Sequence, residues 1–275
     1  LTGYARTYAN VGKTKNFGYD LTFNFVPVRT KDFEWNIGVN AAYSRNEIVS
    51  LANGKEDDPA NGWFIGESTN SIYTYESAGL WKEEDRADME KFNANGHDFQ
   101  IGMARPVDQN GDYKIDANND RTIVGHYDPR WTLGLNTNFT YKGWDLGIQL
   151  YGRMGFKYYD SSVWVGGRYN VRDYDYYNEN NKNAAHPKPI YDEGGKDAYY
   201  NETYLKNGSY LKIRNISLGY TFPNRLLTHT GLSALRMYAQ IKNPGYIFSG
   251  CKTLDLDTYS NTYNSGFTFG LNLSF

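Results

Sequence analysis

The sequence predicts an all-β protein: the wall of an antiparallel transmembrane β-barrel carrying long surface loops. Three observations predict it. Seven segments alternate apolar and polar residues, aromatic side chains close the ends of several of them, and the connections between them are alternately short and long. Alternation at period two marks a strand whose two faces meet different environments. A barrel strand meets lipid on one face and a wet interior on the other.

The first segment sets Phe17, Tyr19, Leu21, Phe23 and Phe25 against Gly18, Asp20, Thr22 and Asn24. In the second, Trp35, Ile37, Val39, Ala41 and Tyr43 oppose Asn36, Gly38, Asn40, Ala42 and Ser44. The third opposes Trp131, Leu133, Leu135, Phe139 and Tyr141 to Thr132, Gly134, Asn136, Asn138 and Thr140. The fourth opposes Trp144, Leu146, Ile148 and Leu150 to Asp145, Gly147, Gln149 and Tyr151. The fifth, 210–222, slips phase: Leu211 and Ile213 share one register, whereas Ile216, Leu218, Tyr220 and Phe222 share the other. One extra residue near Arg214 and Asn215 reconciles them, so the slip predicts a β-bulge there. The sixth sets Leu235, Met237, Ala239 and Ile241 against Arg236, Tyr238, Gln240 and Lys242. The seventh sets Phe267, Phe269, Leu271, Leu273 and Phe275 against Thr268, Gly270, Asn272 and Ser274. Most segments reach the roughly 9 residues that a tilted strand needs to cross a bilayer, whereas strands of soluble proteins cluster near 5–6.

Short connections fall at Lys142 and Gly143, at 27–32 and at 223–233; long ones span 45–130, 157–208 and 244–264. Outer-membrane barrels have short periplasmic turns and long extracellular loops, and this threading puts Phe275 on the periplasmic side. Seven strands cannot close an even-stranded barrel, so further strands are expected before Leu1, and the chain is read as a fragment or a processed piece. Within the first long loop, 72–81 is expected to be extended. Residues 82–93 are expected to be helical, with Asp85, Met89 and Phe92 at helical spacing, and read by their charge as a solvated surface helix.

Composition narrows the function classes. The net charge of −2 gives no electrostatic footprint for nucleic acid. The 26 tyrosines suit a boundary between hydrocarbon and water. No apolar run of about 18 residues exists, so no transmembrane helix is expected; the mean hydropathy of −0.71 does not bear on a barrel, whose strands show lipid only every second residue. One cysteine, Cys251, excludes an internal disulfide.

Several stretches, in order, resemble the SusC/RagA-type TonB-dependent transporters. They are Asn10-Val-Gly-Lys followed by Asn16-Phe-Gly-Tyr-Asp-Leu, then Tyr75-Glu-Ser-Ala-Gly-Leu-Trp81, and Asp108-Gln-Asn-Gly-Asp-Tyr-Lys-Ile-Asp116 with Asp120-Arg-Thr-Ile-Val-Gly125. Asp128-Pro-Arg-Trp131, the Leu211 to Pro223 stretch and the final Phe267 to Phe275 strand follow. The resemblance implies that residues 1–275 are the C-terminal part of the barrel, the last seven or so strands of about 22, without the plug and the N-terminal strands. It implies import of oligosaccharides or peptides across the bacterial outer membrane. Energy would reach the plug through TonB, and a SusD-like lipoprotein would act as a lid on the extracellular loops. The alternative is a structural or adhesive barrel without active transport.

Candidate sites follow. Phe275, aromatic and last on an apolar face, looks like the insertion signal read by the barrel-assembly machinery. Asp108, Asn110, Asp112 and Asp116 have an EF-hand-like rhythm, with hard oxygen donors at positions 1, 3, 5 and 9. Tyr113 replaces the turn glycine and Asn119 the final carboxylate, so an acidic surface turn is preferred, with Ca2+ in the 108–120 loop as the alternative. Loop aromatics suit self-packing or a protein lid better than direct ligand contact; the stretch with Tyr174, Tyr176 and Tyr177, together with Trp164, is the candidate contact surface. Inward Asp20, Asp145, Arg153, Arg236 and Lys242 are read as solvated. His97, His126, His186 and His229 all fall in loops or turns, and no nucleophile–base pairing or phosphate-cradling loop is present; no enzyme is expected.

Overall fold

The computed structural model describes residues 12–160, 175–189, 197–251, 254–258 and 263–275. It divides into two compact units: a sheet unit of Gly18–Tyr43, Pro129–Ser162 and Lys206–Phe275, and a loop unit of Leu1–Phe17, Ser44–Asp128 and Val163–Leu205.

Seven strands form one sheet: β1 (Lys13–Arg29), β2 (Phe33–Ser50), β3 (Trp131–Tyr141), β4 (Trp144–Met154), β5 (Tyr210–Thr221), β6 (Ala234–Ser249) and β7 (Gly266–Ser274). Each neighbours the next in sequence, so the sheet is a meander. The strands are those that the alternation predicts, and the register explains why the pattern is strict. Val39, Leu135 and Leu150 stand abreast, as do Leu146, Leu218, Ala239 and Phe269. A one-residue slip in any strand would carry its apolar set to the polar side. Phe23, Phe267, Phe269 and Leu271 are exposed on this face.

Thr137 is the exception on the apolar side, opposite Ile37 and Ile148. Its hydroxyl accepts a hydrogen bond from Trp35 Nε1 at 2.8 Å, which satisfies two polar groups where hydrocarbon could satisfy neither.

The bulge falls where the phase slip puts it. Both ladders of β5 jump from Ile213 to Asn215 and leave Arg214 without a register partner. The β3–β4 hairpin turns on Lys142 (φ 46°) and Gly143 (φ 89°); two consecutive positive φ values match the right-handed twist of the strands. Two strands run longer than the alternation indicates. β1 continues through Pro27 to Arg29. β6 continues past Asn243 (φ 49°) and Pro244 to Ser249, with an irregular register that skips both.

The loop unit has its own core of Trp81, Met89, Phe92, Phe99, Met103 and Ile115. Ser71–Tyr75 pairs with Arg121–His126, and Ser77–Leu80 with Ala104–Pro106, so 72–81 is extended, as expected. A 3-10 turn, Glu83–Asp85, leads into α1 (Arg86–Ala94). The reading of this helix as merely solvated is wrong: Met89 and Phe92 are buried and pack against Trp81 and Phe99. The charge that suggested a solvated helix belongs to its other faces and to one buttress. Arg105 reaches Asp85 at 2.6 Å and Asp88 at 3.2 Å and lies over the Trp81 ring.

Candidate functional site

The polar side of the sheet is an organised surface. Asp145 and Arg236 sit on β4 and β6, two strands apart; Gly219 of β5 is the register partner of Asp145, and Arg236, abreast of Thr221, reaches diagonally across it. They pair bidentately, at 2.9 and 2.5 Å. A Cβ on Gly219 would collide with both side chains, so the glycine opens the bridge across its own strand. The expectation that both charges are simply solvated is therefore corrected: the register brings them together.

Further along the same face, Asp20, Thr22, Asn40, Asn136, Gln149, Tyr151 and Arg214 line a groove of about 410 Å³. Its polar lining is amides and hydroxyls with one carboxylate and one guanidinium, and Leu21, Leu133 and Leu150 also border it. The Arg214 guanidinium lies 3.8 Å from the Tyr151 ring centroid, a cation–π stack.

Beside it lies a cluster that the sequence reading missed. Lys212, on the polar side of β5, is 1 % exposed. Its ammonium is 2.6 Å from Asp257 and 3.6 Å from Asp255. Asp257 also receives Arg214 at 3.1 Å and the Tyr210 hydroxyl at 3.1 Å, while the Tyr246 hydroxyl donates to Asp255. Both carboxylates come from the connection between β6 and β7, where Leu256 and Cys251 are buried with Phe156, Tyr158 and Tyr210. Burial pushes the Asp257 carboxyl up, but the hydrogen bond and charge of Lys212, then the charge of Arg214, outweigh it and hold it below the usual range. The available signal was parity. Lys212 and Arg214 share the polar side of one strand, and Asp255 and Asp257 alternate in the next long connection.

In the loop unit, Asp128 gathers the two ends of the first long connection. It accepts from Asn46 Nδ2 at 2.9 Å, Ser68 Oγ at 3.2 Å and Asn70 Nδ2 at 2.9 Å. The acidic turn closes on itself. Asp108 accepts from the N–H groups of Gly111 and Tyr113, Asn110 from that of Asp112, Asp112 from that of Lys114, and Asp116 from those of Asn118 and Asn119. The buried Asp120 carboxylate accepts from the N–H groups of Gln109 and Asp116. Tyr113, at the position of the missing turn glycine, adopts φ 59°. Among the described residues no three His, Cys, Asp or Glu side chains converge as metal ligands.

The candidate contact tyrosines separate. Tyr177 packs its ring against Gly102, where a Cβ would clash with it, and its N–H donates to His186 at 3.0 Å. It anchors the segment. Tyr176 is 39 % exposed and is the one left on the surface. Tyr174 and Trp164 lie outside the described residues. Phe275 is 90 % exposed.

No family model matches the chain. Among curated proteins it is similar to TonB-dependent receptor P3 of Formosa agariphila, 26 % identical over 100 % of this chain and 30 % of the relative. It is also similar to TonB-dependent receptor SusC of Bacteroides thetaiotaomicron, 27 % identical over 98 % of this chain and 27 % of that protein. The solved structure of the RagAB peptide transporter overlays the whole chain on 31 % of its own, with a TM-score of 0.71 at 25 % identity. In sequence and fold the chain matches a portion of SusC-type TonB-dependent receptors. It spans about 30 % of the length of the curated relatives it matches. The meander, the lipid-type face and the long connections are thus features of an outer-membrane barrel wall.

Proposed function

We propose that the protein to which this wall belongs imports nutrients across the bacterial outer membrane, as a TonB-dependent transporter of oligosaccharides or peptides working with a SusD-like surface lipoprotein. The observation that carries this reading is the two-sided sheet. An apolar face, broken at the hydrogen-bonded Thr137, runs across the sheet, and the opposite face carries amides, paired charges and a groove. Named relatives that are receptors and a peptide transporter support it, and they favour transport over catalysis. In this reading the chain is the C-terminal part of the barrel, and the plug that meets TonB lies outside it.

The test is solute-dependent growth of a strain carrying the full-length protein, with and without TonB, on oligosaccharide and on peptide mixtures. Growth that requires both the protein and TonB is expected. Growth indifferent to TonB would overturn active import and favour a passive or adhesive barrel.

Two subordinate readings accompany it. Phe275 is proposed as the residue recognised by the barrel-assembly machinery, supported by its place on the apolar face of β7; its deletion should lower the heat-modifiable band. Calcium at Asp108, Asn110, Asp112 and Asp116 rests on the spacing of their oxygens, and calorimetry with and without Ca2+ tests it.

A further inference from the structure

The connection between β6 and β7 does not behave as a free surface loop. Its described part, 254–258, lies against the polar side of β5. There Leu256 is fully buried, and Asp255 and Asp257 flank the Lys212 ammonium. Lys212 and Asp257 have side-chain exposures of 2 % and 17 %. Two cations, Lys212 and Arg214, face two carboxylates, and two tyrosine hydroxyls complete the set. Removing one member of a buried, balanced set leaves a charge with no partner, which costs more than removing a matched pair.

We infer that Lys212 is a positioning residue. By holding Asp257 it keeps the 254–258 segment strapped onto the polar wall, and through the same carboxylate it keeps Arg214 stacked over Tyr151 at the edge of the groove. The strap is thus part of the surface that a passing solute meets, and the latch sets the charge presented there. That consequence rests on the transport reading. The latch itself does not.

Cys251, 3 % exposed and packed with Leu256, is a built-in reporter. In the full-length protein in native outer membranes, with any other cysteines changed to serine, maleimide labelling of Cys251 reports strap opening. Phenylglyoxal modification of Arg214, read by mass spectrometry, reports its release from Tyr151 and Asp257. Heat-modifiability reports the barrel separately. Asp257→Asn is expected to speed both labelling reactions by about tenfold while the barrel stays folded. Lys212→Arg, which keeps the charge, should stay within about threefold of the parent, a rescue that bulk packing alone does not provide. Lys212→Met with Asp257→Leu removes no net charge, so Cys251 labelling should stay slow, while Arg214, deprived of its carboxylate, should be modified faster.

Equal labelling of the parent and Asp257→Asn would overturn the latch. A double variant whose Cys251 labels as fast as in Asp257→Asn, or that does not fold, would overturn charge pairing as its basis. If Asp257→Asn loses the barrel, the double variant and Lys212→Arg decide. Labelling needs neither solute nor TonB, so this inference and the transport reading can fail separately.

Discussion

The sheet unit and the loop unit place their largest side chains in opposite directions. In the sheet, Phe267 and Phe269 are 72 % and 81 % exposed. In the loop unit, Trp81 is fully buried with Phe92 and Phe99 around it. The loop unit follows the ordinary rule for a protein surrounded by water, in which apolar area is withdrawn from solvent. The sheet inverts it because one of its faces is built for hydrocarbon, where exposed apolar area costs nothing and an unpaired charge costs most. One chain therefore carries two hydrophobic codes, and the same substitution should have opposite consequences in the two regions.

The largest effect is expected in the loop core. Trp81→Ala removes the side chain that Phe92, Phe99 and Arg105 pack upon and should cost the loop unit about 3–5 kcal/mol. In the full-length protein, hydrogen exchange over 72–126 should rise to that of an unprotected segment while the barrel keeps its heat-modifiability. A barrel that fails together with the loop would show that the two codes are not separable.

Next comes a charge on the lipid-type face. Leu271 stands abreast of Met237 and is 59 % exposed. Leu271→Arg should destabilise the membrane-inserted barrel by about 2–4 kcal/mol. Asn272→Arg, one residue on but on the polar side, should stay within about 0.5 kcal/mol. Denaturant titration of both variants refolded into lipid vesicles measures the contrast, and equal losses would refute the assignment of faces.

A smaller effect is expected at the neck of the first long connection. Asp128→Ala strands the donors on Asn46, Ser68 and Asn70 and should cost about 1–3 kcal/mol. It should appear as faster exchange at 68–71, with the Trp81 core unchanged. Protection at 68–71 equal to the parent would mean that the neck is held by other contacts.

What could be read from the sequence follows the same division. The seven strands and the bulge at Arg214 were legible because two solvents force a strict period of two, and a single misplaced residue shows as a phase slip. Strand ends were less legible. Pro27 and Pro244 lack N–H donors and look like terminators, yet β1 runs on through Pro27 and β6 is irregular at Pro244. The loop core was not legible, because Trp81, Phe99 and Ile115 follow no period and meet only in three dimensions. The Lys212 latch was half legible: parity placed the cations, but nothing local in the sequence folds Asp255 and Asp257 back onto them. At Tyr176 and Tyr177, composition gave the aromatic pair, while only the close approach of Gly102 shows that Tyr177 is an anchor.

The smallest expected effect is a pH dependence confined to the loop unit. His97 stacks on Phe99, and its Nε2 accepts the Ile115 N–H at 3.0 Å, an arrangement that only the neutral ring can make at that nitrogen. Burial lowers its pKa, with the charge of Asp120 partly opposing. A histidine depressed in the folded state binds its proton more readily when unfolded, so stability rises with pH. The contribution is complete above the unfolded value of about 6.5 and is lost as pH falls from there through the folded value. Protection of the Ile115 amide, taken relative to its intrinsic exchange rate at each pH, should therefore fall on acidification from about pH 7 to pH 5, while that of the sheet amides does not change. His97→Gln, whose side-chain carbonyl can accept the same N–H without titrating, should flatten the profile. A profile unaltered by that change would assign the pH dependence to the carboxylates instead.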